Sequence, residues 1–367
     1  MPVTIDDVQN LQQKHAKQYD VEAEQNRARL TQYADVINDW EGDSYKIPTE
    51  ESNIDAKFYT GYNVPITDSK IPEGNRLVRY QKYYISFAIS KDMLLDKAPL
   101  DNGLARRRVK QVAATARKED ECFLGVIKDP VTGKYRLFDP AIDTDIGYFG
   151  GILNKNYGGA DGTDKYALNL TDSIMAGGNL IPIDFASSGT GVSKAMQGTF
   201  VDKFFLIQQR LQELNVFEPN SANTICTAIS PAVQRELLML EIRNNMDYGF
   251  KTIGNVGTTT IIPGLGLTVV VTNMLPTMNT PLSGDATKSV KDARMVPFWL
   301  KNRVQIVVPK RTEFETLTIN DKVDVRYRSL ATGMFGAARK DERSTFIMPV
   351  FETGVSSNVN TSALTAA

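Results

Sequence analysis

The chain has 367 residues, 42% apolar and 23% charged, with a formal net charge of −1. That is an ordinary soluble balance with enough apolar material for a core, and by length it could hold about two or three domains. No run approaches the roughly 18 apolar residues of a membrane span, and the near-zero net charge gives no global pull toward nucleic acid. The start, MPVTIDDVQN, is polar and acidic and reads as neither a signal nor a transit peptide. Cys122 and Cys226 fall in segments that read as helix and strand, so they are expected to be buried thiols in an intracellular chain. Charge is uneven along the sequence: residues 1–50 hold ten acids and five bases, and residues 76–118 hold eleven bases and three acids. Such blocks are either two solvated surfaces or two surfaces that meet, within a chain or between chains.

Residues 4–40 are helix-prone but poor in large apolar side chains. Val8, Leu11, His15 and Tyr19 make one thin stripe, and Leu30, Tyr33, Ala34, Ile37 and Trp40 make another. Neither founds a core, which predicts an arm that gains order by lying on something else. Residues 57–62 and 76–89 are rich in Tyr, Ile, Val and Phe, and Tyr83, Ile85, Phe87 and Ile89 alternate with smaller or polar neighbours. With turn chemistry between them, the two runs predict a long hairpin with a polar tip, marginal unless it finds a partner surface. Ser90 then caps a short helix through Asp96.

Residues 98–128 predict the longest helix. From Leu104 to Leu124 there is neither proline nor glycine, and strong helix formers dominate. Ala105, Val109, Val112, Ala113, Ala116, Phe123 and Ile127 share one face, crossed by Asp120. Asp101 or Asn102 is the expected cap, and Gly125 the expected end. At 1.5 Å per residue the helix is a beam roughly 35 Å long.

Residues 131–164 are rich in turn formers and predict no regular element. From about residue 170 the pattern becomes α/β. Thr199 caps a helix through Leu214, with Phe200, Phe204, Ile207, Leu211 and Leu214 on one side. Residues 224–229 read as a buried strand, and Ser230-Pro231 opens a further helix carrying Val233, Leu237, Leu238 and Leu240. Residues 258–262 and 267–272 read as strands around a Pro-Gly-Leu-Gly turn. Residues 304–308, 314–319, 323–329 and 346–351 read as mainly antiparallel β, and 353–367 as a frayed tail. No solenoid repeat is visible.

The search for chemistry finds little. His15 is the only histidine, which cannot build a histidine-based zinc site, and the two cysteines lack metal-ligand spacing. There is no G-x-S-x-G, no GxxxxGK[ST] and no GxGxxG linking strand to helix, so the glycines near 158–162 and 189–191 read as loop geometry. No spacing selects a pair among the 43 acids for acid–base work. Asn169 and Asn360 match the glycosylation pattern by chance, with no secretory signal beside them. Arg106, Arg107, Arg108 and Lys110 form the densest basic cluster. They spread around more than half of the helix, so they are not one groove-reading face. Near a helix start they oppose the macrodipole, at a few tenths of a kcal/mol each. Local helix stability does not explain them; phosphate or acidic protein does. The missing aromatic stacking platforms favour acidic protein.

The order of elements carries a resemblance. An acidic arm precedes a hairpin ending in Ile85-Ser-Phe-Ala-Ile-Ser-Lys-Asp-Met-Leu-Leu-Asp96, and a long helix ends in Glu119-Asp-Glu-Cys-Phe-Leu-Gly125. Thr224-Ile-Cys-Thr-Ala-Ile-Ser-Pro-Ala-Val233, Ile262-Pro-Gly-Leu-Gly-Leu-Thr-Val269 and Met274-Leu-Pro276 follow. Over roughly residues 50–350 this resembles the HK97-like major capsid proteins of tailed double-stranded DNA bacteriophages. The resemblance implies an α+β capsid fold: arm 1–50, extended hairpin (E-loop) 51–90, peripheral domain with spine helix 91–134, axial domain 135–297, peripheral sheet 298–352 and tail 353–367. It implies a non-enzymatic, cofactor-free virion protein, assembled in the host bacterial cytoplasm into pentamers and hexamers of an icosahedral shell. The shell would enclose double-stranded DNA without reading its sequence and would have no membrane partner. A portal is implied and a decoration protein is optional. The short N-terminal region, without a fused domain of about a hundred residues, points to a separate scaffolding protein. Tyr59, Tyr62, Arg76, Arg79, Arg106, Arg107, Arg108 and Lys110 are the expected inter-subunit contacts. Some relatives cross-link a hairpin lysine to a sheet asparagine, but nothing selects such a pair among Lys57, Lys70, Asn302 and Asn320. An encapsulin-like compartment of the same fold is a second reading, and a carboxylate-based metabolic enzyme a third.

Overall fold

The computed structural model describes residues 28–38, 44–50, 73–90, 100–139, 142–143, 150–153, 168–181, 200–217, 224–235, 254–256, 259–262, 267–282, 285–321 and 324–350. Two sheets dominate them. The smaller has four strands in the order β1 (Asp35–Asn38), β13 (Val304–Asp321), β14 (Asp324–Arg339), β4 (Gln81–Ser90). β13 and β14 form a long antiparallel pair, and β1 lies parallel to β13 with Asp35 opposite Gln305. One face of this sheet carries the long helix α1 (Leu100–Leu124), which packs on β4 and β14. Alternation sets that face: Tyr83 is buried while Tyr84 is 75% exposed.

The larger sheet runs β11 (Thr277–Leu282), β12 (Asp285–Leu300), β7 (Ile225–Ile229), β10 (Leu267–Val271), β9 (Thr259–Ile262), β8 (Gly254–Val256), with β15 (Thr345–Val350) also paired to β12. β7 and β10 are parallel and buried along their whole length, which is why both read as unbroken apolar runs. Helix α2 (Phe200–Glu213) buries Phe204, Ile207 and Leu211, and the Phe204 ring meets Phe298 of β12 at 6.3 Å. Ser230 Oγ accepts the Val233 N–H and so caps the helix that begins at residue 231. A single main core joins the layers: Phe123 of α1 packs edge-on to Trp299 of β12 at 5.6 Å.

Several expectations need correction. The hairpin pairs β2 (Ser44–Glu50) with β3 (Glu73–Arg79), and the chain then turns at Tyr80 so that β4 joins β14 instead. Residues 76–89 are thus two strands in two sheets, and 57–62 lie outside the described residues. The partner surface for this ribbon is the chain's own β14, where Ile47 and Val78 pack on Ala338. Residues 31–33 form a 3-10 turn and 35–38 a strand, not a helix, because the β13 edge offers β-branched Val36 and Ile37 a ladder. Asp101 and Asn102 lie inside α1, not at its cap, and Val109 is 50% exposed despite fitting the apolar stripe. Ile127 belongs to β5 (Val126–Lys128), which pairs with β6 (Tyr135–Leu137) where no regular element was expected. β15 joins the large sheet, not the sheet beside α1, and the whole of β12 went unforeseen. The short helix after Ser90, the stripe from Val8 to Tyr19, Trp40, residues 237–240 and the tail lie outside the described residues.

Candidate inter-subunit surfaces

The basic block of residues 76–118 is carried by three elements that the fold gathers around β14. β4 pairs with it, α1 packs across it, and β3 touches it. Arg76 and Arg79 stand on β3, and Arg106, Arg107 and Arg108 on the second and third turns of α1. Lys110 is exposed beside the exposed Val109. Tyr59 and Tyr62 lie outside the described residues. The described part of the arm meets this block at one place, where the β2 backbone pairs with β3 and sets Ser44 opposite Arg79 and Ile47 opposite Arg76. Asp35 pairs with Lys340 at 2.6 Å, outside the block.

The C-terminal half of α1 is where polar side chains do the positioning. Asp120 is 1% exposed and its carboxylate accepts the Arg29 N–H at 3.0 and 3.1 Å and the Leu30 N–H at 2.9 Å. Tyr83 of β4 donates to Glu119 at 2.8 Å, Lys118 pairs with Glu121 at 2.8 Å, and Tyr135 of β6 donates to Glu121 at 3.5 Å. Burial, with the Glu121 carboxylate beside it, pushes the Tyr135 phenol up to about 12. Asp120 is the residue that sequence reasoning noted but assigned no part. An acid on an otherwise apolar helical stripe was its signal.

The end of α1 is built for close backbone approach. Gly125 adopts φ 78° and donates to Glu121 O at 2.9 Å, while Ile152 and Leu153 N–H groups satisfy Phe123 O and Leu124 O. A Cβ on Gly151 would lie 2.3 Å from Gly125 Cα, so this seat for residues 150–153 requires glycine. Beyond it, the β5–β6 turn exposes Val131, and Arg136 grips Asp143 through a bidentate pair. The Arg136 hydrogen bond holds the Asp143 carboxyl below the usual carboxylate range.

A cavity of about 370 Å³ is lined by Ser230, Pro231, Ala232, Arg235, Asn273, Leu275 and Arg294. Ser230 is used as a helix cap there, and the Arg294 guanidinium donates to Leu275 O at 2.8 Å. Cys122 and Cys226 are buried free thiols, as expected, and burial pushes both up to about 12. No group of three or more metal-ligating side chains occurs among the described residues, and none of their helices is long and apolar enough to cross a membrane. His15 lies outside them.

No protein-family model and no curated protein sequence matches this chain. Solved structures do. A chain from the capsid of cyanophage P-SCSP1u is 13% identical, covers 91% of each chain and superposes with a TM-score of 0.55. One from the capsid of Ralstonia phage GP4 is 10% identical, covers 92% of this chain and 94% of its own, at 0.53. One from the mature capsid of bacteriophage PhiM1 is 10% identical, covers 90% and 88%, at 0.51. The chain therefore has the mixed α/β fold of phage capsid proteins over nearly its whole length.

Proposed function

We propose that this chain is a major capsid protein whose copies form the pentamers and hexamers of an icosahedral shell around packaged double-stranded DNA. The observation that carries the reading is end-to-end fold likeness to capsid chains, about nine-tenths of both chains in each comparison. The local architecture supports it. A long helix lies across a sheet, a two-stranded ribbon leaves that sheet, and a second sheet packs on the C-terminal part of the helix through Trp299 and Phe123. In this reading α1 is the spine helix of a peripheral domain with β4, β13 and β14. The segment between β2 and β3 is the E-loop, and the large sheet belongs to the axial domain. The basic start of α1, with Arg76, Arg79, Tyr59 and Tyr62, would face neighbouring copies, since a closed shell buries surfaces that a free subunit exposes. A scaffolding protein, a portal and an optional decoration protein would be its partners, with assembly in the host cytoplasm and residence in the virion.

Electron microscopy of the protein, expressed alone and with its neighbouring genes, tests this. Uniform polyhedral particles are expected, and nuclease-protected double-stranded DNA inside those from infected cells. A small globular oligomer under every condition would overturn the reading. Particles filled with protein instead of DNA would replace it with an encapsulin-like compartment.

A further inference from the structure

Two chain crossings connect the small sheet to the large one. β12 passes into β13 through the 3-10 turn Lys301–Arg303, and β14 passes into β15 through residues 340–344. The crossings hold each other: Lys340 N–H donates to Arg303 O at 2.7 Å, and Arg303 pairs with Asp341 at 3.3 Å. Two short crossings at element ends, side by side between packed layers, are the geometry of a hinge.

A third segment lies across it. Residues 28–38 are fixed to the small-sheet layer at two places and to the crossings at a third. Asp120 of α1 accepts the Arg29 and Leu30 amides, β1 pairs with β13, and Lys340 Nζ bridges Asp35 Oδ2 at 2.6 Å and Asn302 O at 2.7 Å. The same segment grips the large sheet. The Trp299 indole N–H donates to Tyr33 O at 2.9 Å, and Arg29 Nη1 reaches Val271 O at 3.4 Å. Leu30, 0% exposed, plugs the core between these grips.

We infer that residues 28–38 are a brace that fixes the angle between the two sheets, and that Asp120 is the positioning residue that keeps it seated. Bending at the crossings would carry Trp299 and Val271 away from a segment tied along its length to the other layer, so both grips must break first. Releasing Asp120 would strand two amides beside buried Leu30, which makes the brace a defined, closed state.

Hydrogen exchange of the full chain, read by mass spectrometry on fragments, tests the inference on Asp120→Asn and Trp299→Phe. Loss of a charged or indole hydrogen bond should speed exchange in residues 28–38 roughly tenfold, and comparably in residues 301–303 and 340–344, while β7 and β10 stay as slow as in the parent. Crossings that keep their parental rates while 28–38 loosens would make the segment a passenger and overturn the inference. So would equal acceleration of β7 and β10, which would make it ordinary core. Should neither variant fold, Arg29→Ala, which removes the Val271 grip without touching either crossing, is read by the same criteria. These readouts belong to the free subunit and do not depend on the shell. If the shell reading holds, Asp120→Asn particles should also vary in diameter more than parental ones. Failure of the parent to form particles would overturn that reading alone.

Discussion

Asp120 and Tyr83 put polar groups where the periodicity of α1 and β4 asks for apolar packing, and each is matched to a named partner. The Tyr83 case depends on a glycine. Gly333 of β14 is its cross-strand neighbour, and the Tyr83 ring folds over it to reach Glu119. A Cβ there would lie 2.5 Å from Tyr83 Oη, 2.6 Å from Cζ and 2.8 Å from Cε2. β14 is held by β4 at Gly333 and by β13 at the flanking Thr332 and Met334. Gly333→Ala should therefore expel the ring and destabilise the chain by about 1–3 kcal/mol. Tyr83→Phe, which removes only the hydroxyl, should cost about 0.5–1.5 kcal/mol. Urea midpoints at fixed m-value measure both, and an alanine variant as stable as the parent would show that the ring is not held where it lies.

At the scale of elements, the basic cluster of α1 stands on its second and third turns, beyond the first turn where the helix macrodipole acts. Arg106→Glu, Arg107→Glu and Arg108→Glu together would reverse its charge with little effect on the helix itself, since glutamate is as good a helix former as arginine. A loss of assembly in that variant could not be blamed on a weakened helix. The expected outcome is a soluble subunit with parental circular dichroism that forms no particles by light scattering or microscopy; normal shells would leave the arginines as surface charge. Legibility in the sequence divides along the same lines. α1, α2, β7 and β10 were readable because each buries one face or a whole run within itself, so its period survives in the sequence. The partition of residues 76–89 between β3 and β4 was not readable. Both halves are good strands, and only their distant partners, β2 and β14, separate them. β12 has no legible period for a related reason: its first ten residues include Lys288, Lys291, Asp292 and Arg294, and its ladder is completed by β11, β7 and β15 from elsewhere in the chain. The brace was half-visible, as a thin stripe that needed another surface. Its conformation is set by β13 and Asp120, and residues 28–38 carry no local signal for either.

Taken as a whole, the molecule protects protons that an unfolded chain would release in alkali. Burial, the largest cause in each case, pushes Cys122 and Cys226 from 9.0, and Tyr80 and Tyr135 from 10.0, up to about 12. The folded state binds these protons more tightly than the unfolded state, so the sign follows from linkage. Below pH 9 both states are protonated and the contribution is fully present. From pH 9 toward 12 the unfolded chain loses protons that the folded chain keeps, and stability falls. Thermal melts of the free subunit should accordingly be level up to about pH 8 and drop steadily above pH 9. The drop should be shallower between pH 9 and 11 in a Cys122→Ala, Cys226→Ala chain compared with its own melt at pH 8, since two of the protected protons are then gone. A thiol reagent gives a second reading: neither cysteine should react in the folded subunit at pH 8, and both should react once urea opens the core. Melts that rise above pH 9, or thiols that titrate freely in the folded chain, would mean that β7 and the end of α1 are not closed against water as the Phe123–Trp299 packing between them requires.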